Sequence, residues 1–300
     1  MTSAESGRSP DGAAASGGAA PSRDTAPVGG ATTAADPTAL ADADAAAAAR
    51  RRALNAPAAL LAQLATAARF LTILPFPGAT VEVGTSALFF PLIGVALGGV
   101  LVALDRVTAP LVPLGIRDVL LVGALAVVTG GLHLDGLADS ADGLFKSDRE
   151  RALAIMRDGA IGAFGAAAVV LVVALKLRSL DALPPQTRTA ALLYAPMLAR
   201  WAMVVLAFGS HAARPDGLGN AMVRSIKFRE FGTATVVALW IVLAQAGARG
   251  LVAILVVAAT TIGCRILVHA RLGGVTGDVL GAIGEVVEAL VLAVFALGAT

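Results

Sequence analysis

Long apolar segments alternate with short polar segments over most of the chain. About seven of them approach the length of about 20 residues with which an α-helix crosses a bilayer. They cover approximately residues 86–104, 119–131, 160–177, 189–208, 231–246, 251–268 and 279–297. The second is short, so we expect its helix to continue through Leu134 toward the membrane face. The pattern predicts an all-α fold, a polytopic integral membrane helical bundle with about seven transmembrane helices.

Composition strengthens this interpretation. The 300 residues are 57% apolar and only 15% charged, which excludes an ordinary soluble domain. Small residues suit membrane helices because they let backbones approach closely, and Gly94 and Gly98 form such a pair for helix contact. Gly159, Gly162 and Gly165 are expected to form another small face, at the start of the third span. A net charge of +2 gives no indication of nucleic acid as a partner.

The chain divides into two regions. Residues 1–48 have almost no large apolar side chains, so they cannot offset their ordering entropy, and we predict a disordered tail. Residues 49–300 form the predicted membrane-embedded domain. It begins with a mixed segment, residues 54–74, which we interpret as a helix at the membrane interface or a short helix leading into the membrane. The one cysteine, Cys264, lies in an apolar run and is interpreted as a packing residue.

The distribution of positive charge orients the spans. With the N-terminus inside, four loops rich in Lys and Arg fall on the same side: Arg50 to Arg52; Lys146, Arg149, Arg151 and Arg157; Arg214, Arg224, Lys227 and Arg229; and Arg271. The opposite side carries only scattered cations: Arg106, Arg117, Arg188 and Arg249. By the positive-inside rule, the loop around residues 135–159 lies in the cytoplasm.

Three aspartates interrupt the apolar pattern after the second span. Asp135, Asp139 and Asp142 are spaced by four and three residues. If this part is helical, the three carboxylates lie within an arc of about 60° on one face and repel one another. A divalent metal offsets that repulsion, and Mg²⁺ takes carboxylate oxygens together with water and substrate phosphates. The alternative is that the aspartates form a solvated surface.

A second acidic cluster lies near the C-terminus. Asp278, Glu285 and Glu288 fall within about 80° of one helical face. The topology places this cluster at the same membrane face as the three aspartates, where the two clusters could share one or two divalent cations. Alternatively, Glu285 and Glu288 form structural ion pairs with Arg200 or Arg265, because ionisable groups inside an apolar helix usually have partners.

Several nearby residues are candidates for contacting phosphate. Arg157, beside Asp158, and Lys146, near Asp142, are credible phosphate-binding cations. His133 is either a ligand or acid/base group, or a helix-end histidine bonded to backbone, and the second interpretation is favoured. A Mg²⁺ site with basic residues at a membrane face indicates phosphoryl or nucleotidyl transfer.

Four motifs resemble those of one enzyme family. They are residues 130–143 (GGLHLDGLADSADG), 155–165 (IMRDGAIGAFG), 70–77 (FLTILPFP) and 274–288 (GVTGDVLGAIGEVVE). Together they resemble the cobalamin synthase family, adenosylcobinamide-GDP ribazoletransferase, over roughly residues 60–300. The resemblance implies an integral enzyme of the bacterial inner membrane that uses Mg²⁺. It would join adenosylcobinamide-GDP to α-ribazole or its 5′-phosphate, giving adenosylcobalamin or its phosphate and GMP.

Within that reaction, the roles of individual residues are hypotheses from their spacing. Asp135, Asp139 and Asp142 would hold Mg²⁺ on the diphosphate, while Asp278 and Glu285 would bind a second metal or activate the attacking hydroxyl. Arg157 and Lys146 would neutralise phosphate oxygens, Arg157 also acting in catalysis. His133 and Asp158 are further candidates for substrate binding.

Two other functions compete with this one. A CDP-alcohol phosphotransferase is also a Mg²⁺-dependent membrane enzyme, but Asp139 stands where its motif requires an arginine. A cation transporter would place acidic residues near mid-membrane, whereas Asp135 to Asp142 lie at the edge of the apolar region. The sequence leaves the oligomeric state open.

Overall fold

A computed structural model describes residues 57–146, 148–245 and 247–297. The predicted disordered tail, residues 1–48, and the arginines at positions 50–52 lie outside these residues. The described chain folds into the helices α1 Pro57–Leu71, α2 Val83–Ser86, α3 Phe90–Thr108, α4 Leu114–Val128, α5 Leu132–Leu144, α6 Arg149–Asp158, α7 Ala163–Asp181, α8 Pro185–Ala207, α9 Gly217–Ser225, α10 Phe228–Gln245, α11 Gly247–Leu272 and α12 Gly277–Ala296. A 3-10 turn, Ala87–Phe89, joins α2 to α3.

The polytopic all-α architecture is confirmed. Within the described residues, 5 helical segments are long and apolar enough to cross a membrane, and the number rises to 6 if α4 and α5 together count as one broken span. The prediction of about seven is therefore high by one or two. The segment expected at 231–246 belongs to α10, which is outside this group.

The predicted continuation of the second span through Leu134 is wrong. Helix α4 ends at Val128 and α5 begins at Leu132, and their axes meet at 87°. Gly130 and Gly131 cause the break, since both have the left-handed backbone that glycine adopts readily, with φ of 65° and 69°. The aspartates are thus carried by a separate helix that turns away from α4.

The start of the third span also differs from the prediction. Helix α7 begins at Ala163, preceded by Gly162, whereas Gly159 ends α6 with a φ of 65°. The three glycines of this region therefore do not share one helical face: Gly159 terminates a helix, Gly162 precedes the next one, and Gly165 lies inside it.

Helix α8 is the centre of the bundle, with most of its side chains buried between α3 and α12. The predicted role of Gly94 and Gly98 in helix contact is confirmed. A Cβ atom at Gly94 would lie 2.5 Å from the Cα of Met197, and one at Gly98 would lie 2.6 Å from the carbonyl oxygen of Leu192. Only glycine permits this approach, which fixes α3 against α8.

Candidate functional site

Three helices meet closely at the N-terminus of α12. A Cβ atom at Gly136 of α5 would lie 2.7 Å from the carbonyl oxygen of Asp278, and one at Gly219 of α9 would lie 2.6 Å from the amide nitrogen of Gly277. Such distances exclude any larger residue at either position unless the backbones move apart. Two glycines therefore allow α5 and α9 to approach the first turn of α12 from separate sides.

The segment before α12 is held by backbone pairing. The Val275 N–H donates to the His211 carbonyl at 2.8 Å, and the Ala213 N–H donates to the Val275 carbonyl at 3.0 Å. Thr276 then caps α12, because its hydroxyl oxygen accepts from the Val279 N–H at 3.2 Å. This arrangement fixes Asp278 in the first helical turn and brings the loop after α8 next to it.

A cavity of about 250 Å³ lies where these elements meet. Asp135 and Asp278, one from each predicted acidic cluster, both line it. Its other walls are formed by Phe70, Leu132, His133, Met203, Arg214, residues 216–220, residues 275–277, Leu280 and Gly281. The structure therefore brings together the two acidic clusters, which are far apart in the chain.

The three aspartates of the first cluster all lie in α5, so the helical alternative considered for this segment is the one that the structure shows. Asp135 is exposed at the cavity, whereas Asp139 and Asp142 are buried. Asp139 lies within electrostatic range of Asp135 and Asp278. Asp142 points elsewhere, because its carboxylate accepts from the Gly162 N–H at 2.7 Å and thereby holds the start of α7.

The carboxylates of Asp135 and Asp278 fit a magnesium ion whose remaining ligands would come from water and substrate. Among the residues that the structure describes, no group of three or more His, Cys, Asp or Glu side chains is gathered closely enough to hold a metal alone. Mg²⁺ commonly uses only one or two carboxylates and takes its remaining ligands from water and substrate phosphates. Asp135 and Asp278 supply that number at one cavity, with Asp139 nearby.

Glu285 and Glu288 occupy a different environment, a buried ion-pair network. The Lys176 ammonium contacts Glu285 at 2.6 Å and Glu288 at 2.7 Å, and Arg200 contacts Glu288 at 2.8 Å. The alternative of a structural ion pair with Arg200 is confirmed for Glu288.

Of the second acidic cluster, Asp278 is therefore the residue that lies beside the first cluster. The Arg265 alternative is wrong, because Arg265 donates to the carbonyls of Val205, Leu206 and Phe208 at the end of α8. Lys176 was not predicted as a partner, although a lone lysine inside an apolar helix is itself a signal.

His133 links the cavity to this network. It is buried, it lines the cavity, and it lies within electrostatic range of Arg200, Glu288 and Lys176. Helix α12 packs directly on it, since a Cβ atom at Gly281 would lie 3.1 Å from the Cα of His133. The candidate histidine is thus an enclosed residue of the cavity wall.

The cation that lines the cavity is Arg214, which the sequence pattern indicated only as part of a basic loop. Arg214 lies against Asp278 at 3.3 Å, a long contact for an ion pair. The predicted cation Arg157 is exposed and contacts Asp216 at 2.9 Å, at the edge of the same cavity. Lys146 and Asp158 lie outside the cavity, on the loop after α5 and at the end of α6.

Comparison with known proteins agrees with the four motifs. Residues 63–296 match the family described as cobalamin-5-phosphate synthase. Proteins named adenosylcobinamide-GDP ribazoletransferase are similar over most of their length. That of Geotalea daltonii is 40% identical over 234 residues, which cover 75% of this chain and 93% of the relative.

Two further relatives carry the same name. That of Syntrophobacter fumaroxidans is 41% identical over 238 residues, which cover 76% of this chain and 95% of the relative. That of Pseudomonas aeruginosa is 39% identical over 243 residues, which cover 79% of this chain and 98% of the relative. No solved structure matches this chain. The chain therefore belongs to the cobalamin-5-phosphate synthase family of membrane enzymes.

Proposed function

We propose that this enzyme joins adenosylcobinamide-GDP to α-ribazole or α-ribazole 5′-phosphate, giving adenosylcobalamin or its 5′-phosphate and GMP. The observation that carries the proposal is the convergence of Asp135, Asp278 and Arg214 on one cavity. Two carboxylates and a guanidinium suit a diphosphate with its metal. The names of the relatives favour this reaction over CDP-alcohol transfer and over cation transport.

Magnesium is the metal that these residues would hold. Asp135 and Asp278 are the proposed ligands, and buried Asp139 adds negative charge beside them. A bound Mg²⁺ would supply charge neutralisation for the phosphate oxygens. The contact of Asp142 with Gly162 supports a positioning role for Asp142, and the pairing of Glu285 with Lys176 supports a structural role for Glu285 in place of the predicted metal role.

The transfer itself exchanges one phosphorus–oxygen bond for another. A ribose hydroxyl of the acceptor attacks the phosphorus that is linked to cobinamide, and the bond from that phosphorus to the bridging oxygen breaks. GMP leaves with the bridging oxygen. Asp135 is our candidate to accept the hydroxyl proton, and Arg214 to stabilise the charge that develops on the phosphate.

The polar segments with the most Lys and Arg include the one formed by Lys146 and α6 and the one that contains Arg214. We therefore place the cavity at the cytoplasmic face of the bacterial inner membrane, where GDP-linked substrates occur. A cysteine-accessibility experiment on intact cells and on inverted vesicles tests this orientation.

Release of GMP from membranes that contain this chain tests the function. The assay combines adenosylcobinamide-GDP, α-ribazole and Mg²⁺, with EDTA and the omission of each substrate as controls. Release that requires all three components is the expected result. Release of CMP from a CDP-alcohol, or cation flux without turnover in proteoliposomes, would contradict the proposal.

Arg214→Ala is expected to lower kcat/KM for GMP release by about 100-fold, because a charge-assisted contact to phosphate is lost inside a cavity. Lys146→Ala is the matched control, since Lys146 lies outside the cavity, and we expect less than about a threefold change. Steady-state kinetics in detergent measure both. If Arg214→Ala leaves kcat/KM unchanged, Arg214 is not part of the site.

A further inference from the structure

A second cavity lies on the other side of Asp135. It has a volume of about 390 Å³ and is lined mainly by apolar side chains, among them Leu134 and Ala138 of α5, Ile161, and Val169 of α7. Asp135 is its one charged lining residue, and Asp135 also lines the first cavity. A single carboxylate thus borders both a polar and an apolar cavity.

The positions of these residues around α5 explain the arrangement. At about 100° per residue, His133 lies on one side of Asp135, and Leu134 and Ala138 lie on the other. His133 lines the polar cavity, whereas Leu134 and Ala138 line the apolar one. The two cavities therefore meet at Asp135 and Leu132, which line both, and extend from there in opposite directions around the helix.

The break between α4 and α5 creates the space. The 87° bend turns α5 away from α4, and Gly130 and Gly131 line the apolar cavity with backbone alone. A Cβ atom built at Gly131 would meet no heavy atom within 4 Å, so nothing in the protein fills this space. An interruption of this kind in an apolar segment is tolerated where the backbone lines a cavity.

Resting on the proposed function, we infer that the apolar cavity binds the bicyclic aromatic base of the acceptor nucleoside. Phosphoryl transfer needs the attacking and leaving oxygens roughly in line on opposite faces of the phosphorus. A phosphorus held near Asp135 then has the departing GMP on the polar side, where Arg214 lies, and the incoming hydroxyl on the apolar side. Apolar walls with one carboxylate at the edge suit an uncharged aromatic base joined to a ribose.

Enlarging Val169 tests the inference. Val169→Phe fills the cavity, and we expect it to raise KM for α-ribazole by at least about tenfold while KM for adenosylcobinamide-GDP stays within about twofold. Val170→Phe is the matched control, since Val170 is the next residue of α7 and is 65% exposed outside the cavity. It is expected to leave both constants unchanged.

A second variant and a binding measurement test the same inference independently of Val169→Phe turnover. Ile161→Ser places a hydroxyl in the cavity at a position that is 63% exposed, so folding is preserved, and KM for α-ribazole should again rise. Equilibrium binding of labelled α-ribazole in nanodiscs, competed by free 5,6-dimethylbenzimidazole, gives a readout without turnover. Val169→Phe should weaken this binding to the same degree as it raises KM.

The failures of the two proposals differ. If the wild-type enzyme releases no GMP, the proposed function fails. If it turns over and both cavity variants bind α-ribazole as tightly as Val170→Phe does, the inference is wrong.

Discussion

Replacing Asp135 with asparagine is expected to lower GMP release by at least about 100-fold at saturating substrates, because the charge that borders both cavities is lost while the size of the side chain is kept. Asp135 lines the polar cavity together with Asp278, and it is the charged residue of the apolar cavity. A loss of the metal ligand should also raise the Mg²⁺ concentration needed for half-maximal rate. Steady-state kinetics over a Mg²⁺ series measure both effects.

Asp181→Asn is the control for this variant. Asp181 lies at the far end of α7 in an exposed ion pair with Arg178 at 3.1 Å, and such pairs contribute little to stability. Its activity and Mg²⁺ dependence should match those of the wild type. Wild-type rates and an unaltered Mg²⁺ dependence in Asp135→Asn would keep the function but show that the metal lies elsewhere.

Spacing was sufficient to single out the first half of the site. Asp135, Asp139 and Asp142 share a face only if their segment is helical, and all three lie in α5. Periodicity did not separate their roles, because the contact of Asp142 with Gly162 depends on how the next helix begins. The long-range approach of Asp278 was anticipated only through topology, by placing two motifs at one membrane face.

Contacts between distant helices were the part that local patterns could not supply. Lys176 contacts Glu285 and Glu288, more than one hundred positions away, and no helical spacing relates them. Arg214 lies in a loop, and a loop has no regular repeat from which the direction of a side chain can be predicted. The break at Gly130 and Gly131 was visible as a glycine pair, but apolar residues on both sides favoured a continuous helix.

The buried network gives the prediction with the largest effect on stability. Glu288 is only 3% exposed and accepts from both Lys176 and Arg200, so two cations and two carboxylates balance one another among α7, α8 and α12. Glu288→Gln leaves one positive charge without its counterion. Removing one partner of a buried ion pair destabilises proteins by about 3–5 kcal/mol.

We therefore expect Glu288→Gln to lower the free energy of unfolding by about that amount, measured by denaturant titration in a fixed detergent. Glu150→Gln, on the exposed surface of α6, is the control and should change stability by less than about 0.5 kcal/mol.

A double-mutant cycle separates charge balance from the loss of a contact. Arg200→Gln combined with Glu288→Gln restores neutrality, because the pair of Lys176 and Glu285 at 2.6 Å remains. The double variant should therefore be more stable than the sum of the single losses predicts, with a coupling energy of about 1–3 kcal/mol. Additive losses would show that the four charges act independently.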